Sequence, residues 1–140
     1  MFAALPLLAL PVLFYNLFAL LVGGGFHSGH TADRFSAQLM SVPMASRGVW
    51  SVSLSDLFLA GSLVVLFVEL LKSTTSRQAA IINHSLSMVL FILCLVEFLL
   101  FPAFATSTFF LLTLMVLLDV LAGFIVTIVA SRREVDLASD

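Results

Sequence analysis

The chain has 140 residues, of which 61% are hydrophobic and 10% are charged, and its mean hydropathy is +1.20. Soluble domains carry about 25% charged residues, so this composition excludes a water-soluble core and predicts an integral membrane protein. The net charge of −2 is small and of mixed sign, so we expect no nucleic acid partner. We expect one membrane domain over residues 1–140, because no polar segment is long enough for a separate soluble domain.

Four apolar stretches are near or above the roughly 20 residues that a helix needs to cross a hydrocarbon core of about 30 Å. They cover residues 2–22, 54–71, 81–101 and 107–130. The sequence therefore predicts an all-α membrane protein, a bundle of four transmembrane helices with up-down topology. The first stretch has no Lys or Arg before its apolar run, so we interpret it as a retained helix rather than a secretory signal. We expect a kink near Pro11.

The outer segment, residues 23–53, connects the first two stretches. Glycines follow the first stretch, and Pro43 and Gly48 interrupt the rest of the segment. Alternation over residues 35–40 and strand formers over 49–54 favour a small extracytoplasmic β-hairpin or loop, with a turn near Pro43 to Gly48, rather than a helix. A two-stranded hairpin is not stable alone in water, so we expect it to lie across the outer mouth of the bundle, with Trp50 at headgroup level.

The Lys and Arg residues outside the stretches indicate the orientation. Four lie on the side that holds both termini and two on the other: Lys72, Arg77, Arg132 and Arg133 against Arg34 and Arg47. The positive-inside rule then predicts cytoplasmic termini, with residues 131–140 as a cytoplasmic tail. Pro102 ends the third stretch, so the third and fourth helices should pack as a hairpin. The compact chain and the lack of sorting signals favour a prokaryotic inner (plasma) membrane.

Ionisable residues within apolar spans are costly and by default mark a function or a partner. A rise of about 1.5 Å per residue puts Asp119 near the midplane of the membrane. The same count puts Asp56 and Glu97 near the outer boundary, and Glu69 and His84 near the inner one. These depths make all five side chains candidates for polar contacts or an ion relay.

Asp119 lies in a row of residues at spacing four that includes Gly123, and this row should face the bundle interior. The simplest interpretation is a hydrogen bond from Asn16 or Tyr15 of the first span that fixes the packing. A second hypothesis is a proton or ion relay through Asp119. A third is a pair between Asp119 and a basic residue of another subunit.

The remaining acids have local and functional interpretations. A salt bridge from Glu97 to Arg34 or Arg47 could hold the hairpin on the bundle. Glu69 and Lys72 have the spacing of an ordinary helical ion pair, and a contact between Glu69 and His84 is the alternative. Another hypothesis is a polar ladder across the membrane, with Ser62 and Thr113 or water as bridges. Its members would be Asp56, Glu97, Asp119, His84 and Glu69.

His27, His30 and Asp33 in the outer segment have a spacing of three and three, and these residue types bind divalent metals. A metal site there is a hypothesis, although the neighbouring glycines disfavour the helical turn that would align the ligands. Two histidines in a loop are more often ordinary polar residues. Cys94 lies in the middle of the third stretch, where we expect a small core residue.

The sequence contains no recognisable catalytic triad, phosphate-binding loop or paired-histidine motif, so we expect no enzymatic activity. We expect no cofactor, with a divalent metal or a bound lipid or pigment as alternatives. The leading functional hypothesis is an accessory, scaffolding or assembly subunit that contacts the lipid bilayer and other membrane subunits. The alternatives are a small homo-oligomeric channel or proton-coupled transporter that uses Asp119 and Glu97, and an extracytoplasmic metal-binding or sensing protein.

Overall fold

The computed structural model describes residues 5–72 and 77–138, and it describes side chains for residues 5–72, 82–125 and 128–129. Within these residues the chain is mostly helical, with one small antiparallel sheet. The elements in chain order are α1 (Ala9–Leu21), α2 (His30–Phe35), β1 (Gln38–Pro43), β2 (Val49–Ser53), α3 (Leu54–Lys72), α4 (Arg77–Leu100) and α5 (Ser107–Ala138). A 3₁₀ turn, Pro102–Phe104, joins α4 to α5.

Three helices of the described chain are long and apolar enough to cross a membrane: Leu54–Lys72, Ile82–Leu100 and Ser107–Ile125. They fall in the second, third and fourth apolar stretches, and α5 continues beyond the predicted span to Ala138. The predicted first span covers residues 2–22, of which residues 2–4 lie outside the described residues. Its described helix, α1, has 13 residues, or about 20 Å, which is less than the hydrocarbon thickness.

Pro11 lies in the first turn of α1. The first N–H groups of a helix have no intrahelical partner, so a proline there removes no bond. In the described part of the first stretch the helix begins at Ala9, and the kink near Pro11 stays a prediction. The preceding residues Pro6 and Leu7 form a turn whose carbonyls accept the N–H groups of Ala9 and Leu10.

The core is centred on α5, which packs mainly against α4 and α3 and more lightly against α1. In the membrane-length segment of α5, 50% of the residues are buried, against 17% in the corresponding segments of α3 and α4. The α4–α5 hairpin agrees with the tight return predicted at Pro102. Cys94 is a buried free thiol, in agreement with the prediction of a core residue. Other core side chains include Leu8, Tyr15, Phe104, Phe109, Leu112 and Val116.

The outer segment contains the predicted β-hairpin. Strands β1 and β2 pair antiparallel, with Pro43 opposite Val49 at the closed end. The Met44 N–H donates to the Gly48 carbonyl, and Arg47 adopts a left-handed backbone with φ of 66°. The turn therefore lies where Pro43 and Gly48 predicted it.

A short helix, α2, was not predicted in the outer segment, and it is α2 that covers the bundle. Phe35 at its C-terminal end is 1% exposed and stacks on Tyr15 with ring centroids 4.8 Å apart. Thr31 is also fully buried. The hairpin instead leaves most of its side chains exposed, Trp50 at 52% among them. The expectation that the hairpin lies across the bundle is therefore wrong, because burial of the Phe35 ring draws α2 into that position.

Candidate functional site

The candidate site is a polar cluster at the end of the bundle where α3 finishes and α4 begins. We use the name polar cluster for Glu69, Lys72, Asn83, His84, Ser87 and Asp119. Asn83 and Ser87 are buried on α4, four residues apart and therefore on one helix face. Each donates a hydrogen bond to a fully buried carboxylate of a neighbouring helix: Asn83 Nδ2 to Glu69 Oε1 of α3, and Ser87 Oγ to Asp119 Oδ2 of α5 at 2.5 Å. One polar face of α4 thus links α3 to α5.

Glu69 also holds the chain that leads into α1. Its Oε2 accepts the backbone N–H of Leu7 at 2.6 Å, and Lys72 Nζ lies 3.5 Å from its Oε1. Lys72 Nζ donates in turn to the Leu5 carbonyl and, at 3.4 Å, to Asn83 Oδ1. The N–H groups before a helix carry a partial positive charge, so a carboxylate from α3 stabilises the beginning of α1. The predicted pair of Glu69 and Lys72 is present in the structure.

His84 packs across α5 at Gly123. A Cβ at position 123 would overlap the imidazole ring, so a glycine is needed there for the two helices to approach. Both ring nitrogens of His84 are buried without a hydrogen-bond partner among the described residues, and the same holds for Asp119 Oδ1. Buried polar atoms without partners are rare in folded proteins and call for an explanation. Ser87 thus satisfies only one of the two Asp119 carboxylate oxygens.

A second group of polar side chains lies at the opposite end of the bundle. The Tyr15 hydroxyl contacts the Ala103 carbonyl at 3.1 Å and Thr106 Oγ1 at 2.6 Å. Asn16 Nδ2 donates to Glu97 Oε2 at 3.3 Å. Tyr15 and Asn16 therefore do not bind Asp119 as predicted. In the structure the Leu7 N–H bonds Glu69 at one end of the bundle, and Asn16 bonds Glu97 at the other.

The predicted salt bridge from Glu97 to the outer segment is absent, since within the described residues Glu97 pairs with neither Arg34 nor Arg47. Its contact instead comes from Asn16 of α1. Glu97 and Ser87 are ten residues apart on α4, or roughly 15 Å. The acids Glu97 and Asp119 therefore belong to separate groups.

The side chains that would bridge the proposed ladder have other partners. Thr113 Oγ1 donates to the Phe109 carbonyl at 2.9 Å, and Ser62 Oγ donates to the Phe58 carbonyl at 2.8 Å. Each hydroxyl thus bonds the backbone of its own helix. The volume between the two polar groups holds apolar core residues, among them Cys94, Leu112 and Val116, each with no exposed surface.

Asp56 has a local role that its sequence context could have revealed. Its carboxylate accepts the Ser53 N–H at 2.8 Å and the Ser53 hydroxyl at 2.7 Å, while its own N–H donates to Ser53 Oγ at 3.2 Å. This reciprocal pattern is a capping box at the start of α3, and its signature is a Ser followed three residues later by an acid. Asp56 therefore fixes the junction between β2 and α3.

The three candidate metal ligands are not brought together. His30 Nδ1 lies 3.8 Å from Asp33 Oδ2, with both side chains about four-fifths exposed, while the His27 ring packs on Phe101 with centroids 5.5 Å apart. In the part of the chain that the structure describes, no group of three or more His, Cys, Asp or Glu residues could hold a metal ion. Metal binding stays an untested prediction.

No role for Asn83 or Ser87 was predicted from the sequence. The available signal was their spacing of four, which puts an amide and a hydroxyl on one face of an apolar helix. Comparisons of the chain with protein-family models, curated proteins and solved structures found no match.

Proposed function

We propose that this chain is an integral membrane protein whose four apolar stretches all cross the bilayer. The lengths of α3, α4 and α5 support this proposal, as do their exposed apolar side chains, such as Leu63, Val89 and Leu118. Support for a fourth crossing comes from the contacts of the first stretch. Leu7 bonds Glu69 near the end of α3, and Tyr15 bonds Thr106 just before α5. The segment therefore contacts both ends of the bundle although α1 itself is short.

We further propose that the protein is an accessory, scaffolding or assembly subunit of a larger complex in a prokaryotic inner membrane. The observation that carries this proposal is the separation of its polar side chains into two groups, which lie at opposite ends of the bundle and are divided by apolar core. A transport route through Asp119 and Glu97 has less support, because ions need polar groups or water at each step. The apolar outer faces of α3 and α4 suit contact with lipid and with other membrane helices.

The test is purification of the chain from its native membrane into nanodiscs, followed by native mass spectrometry. We expect a reproducible partner protein at fixed stoichiometry. A mutant with the exposed Val64 of α3 changed to Trp should weaken that complex if α3 faces the partner, and Val89→Trp on α4 is the matched variant on the other outer face. Recovery of only the monomer or a homo-oligomer would contradict the subunit proposal.

Orientation needs a separate test. Cysteines at positions 46 and 139, in a chain with Cys94→Ala, report the hairpin turn and the C-terminal end, respectively. With cytoplasmic termini, an impermeant thiol reagent added to intact cells should label Ser46→Cys and leave Ser139→Cys unlabelled until the cells are opened. The reverse pattern would overturn the proposed orientation and leave the subunit proposal unaffected.

A further inference from the structure

The charges of the polar cluster do not balance if both of its acids are ionised. Glu69 and Asp119 have no exposed surface, and Lys72 is the ammonium group that lies beside Glu69. Among the described side chains, α3 contributes Glu69 and Lys72, α4 contributes His84 and α5 contributes Asp119, while the contacts from the chain before α1 are backbone groups. With a neutral His84, these described side chains would carry one uncompensated negative charge.

An uncompensated buried charge is strongly unfavourable, and such groups are usually paired or neutralised instead. The Lys72 ammonium already has the Glu69 carboxylate at 3.5 Å, the Leu5 carbonyl and Asn83 Oδ1 as partners. Ser87 is neutral and donates its hydroxyl to Asp119 Oδ2. The charge of Asp119 therefore needs one additional positive unit close to its second oxygen.

The atoms without partners lie at the same place. Asp119 Oδ1 and the two ring nitrogens of His84 are buried without hydrogen bonds in the described part of the chain. Ser87 is three residues from His84 on α4, and Gly123, which the imidazole covers, is four residues from Asp119 on α5. The imidazole and the carboxylate are thus one helical turn apart at a single interface, and His84 lies within electrostatic range of Asp119.

We propose that Asp119 and His84 form a proton-binding site that holds one proton between them at neutral pH. Either the proton resides on Asp119 Oδ1 beside a neutral imidazole, or it resides on His84 as imidazolium beside an ionised Asp119. Both states bring the net charge of the described cluster to zero. A proton suits this site better than a metal ion, because among the described side chains the oxygens at this interface belong to Asp119 and Ser87. Metal cations such as Mg²⁺ and Ca²⁺ take six or more oxygen ligands.

The site is independent of the proposed subunit function, since it requires only the α4–α5 interface. It also differs from a relay, because one proton is retained at one end of the bundle and no second site is involved. The proton neutralises the cluster and permits α4 and α5 to remain in contact at Gly123.

The test is magic-angle-spinning NMR of the full chain in nanodiscs at neutral pH, with ¹³C-labelled Asp carboxyls and ¹⁵N-labelled His rings. Asp119→Asn and His84→Gln assign the two signals. Asp33 and His30, both about four-fifths exposed, supply internal references for solvated groups. We expect one proton in total: a protonated carboxyl with a neutral imidazole, or a carboxylate with an imidazolium. A carboxylate with a neutral imidazole, or a protonated carboxyl with an imidazolium, would overturn the proposal.

The variants give a second readout that a purely structural role would not produce. In Asp119→Asn the His84 ring should be neutral, because Lys72 then balances the charge of Glu69. In His84→Gln the Asp119 carboxyl should be protonated, because no imidazole remains to carry the proton. Ser87→Ala is the control that removes a hydrogen bond without changing the charge. An ionised Asp119 in His84→Gln, or a spectrum that changes when sodium is replaced by choline, would refute the proton site.

Discussion

Substitution of Gly123 by Ala tests the close approach of α4 and α5, and Gly61→Ala is its matched control. Both glycines are inside helices, where alanine is more favourable by about 0.5–1 kcal/mol. A Cβ at Gly61 meets no heavy atom within 4 Å, so Gly61→Ala should be neutral or stabilising by that amount. A Cβ at Gly123 would overlap three atoms of the His84 ring, and such overpacking costs about 1–3 kcal/mol.

The two variants should therefore differ in stability by about 1–3 kcal/mol, which is roughly 5- to 150-fold in the unfolding constant. Reversible unfolding by sodium dodecyl sulfate in mixed micelles, followed by circular dichroism, measures this difference. The cycle of His84→Ala with Gly123→Ala isolates the overlap, because alanine at position 84 removes the ring and should restore most of the loss. Equal stability of Gly123→Ala and Gly61→Ala would refute the packing argument.

Three further predictions concern other contacts of the fold. Tyr15→Phe keeps the ring that stacks on Phe35 but removes the hydroxyl contacts to Ala103 and Thr106. The free energy of unfolding should therefore fall by about 1–3 kcal/mol. Unchanged stability would show that these bonds contribute nothing. Glu69→Ala removes the carboxylate beside Lys72 and the acceptor of the Leu7 N–H, so it should cost about 3–5 kcal/mol in the same unfolding assay. Val68→Ala on the exposed face of α3 should cost far less. Trp50 is the only tryptophan, so its fluorescence reports on the hairpin directly. If the Trp50 side chain lies at headgroup depth, brominated lipids should quench this fluorescence. Quenching by aqueous acrylamide alone would contradict that position.

The apolar stretches by themselves determined the positions of the three long helices. The bounds of α3 and the start of α5 agree closely with the predicted stretches, since long apolar runs have few alternatives to helix in a bilayer. The hairpin turn near Pro43 and Gly48 was also predictable, because these residues restrict the backbone locally. Local signals of this kind need no knowledge of the neighbouring elements.

The tertiary structure alone decided which groups meet. A hydrogen bond from Asn16 to Asp119 was predicted, but the Leu7 N–H bonds Glu69 at one end of the bundle and Asn16 bonds Glu97 at the other. Asp119 bonds Ser87 instead. The same holds for α2, whose short, glycine-flanked sequence favours no helix until Phe35 is buried among the rings of the bundle. Partners across an interface depend on the axial displacement and rotation of each helix, and packing sets these two quantities, whereas hydrophobic periodicity records only which face is buried.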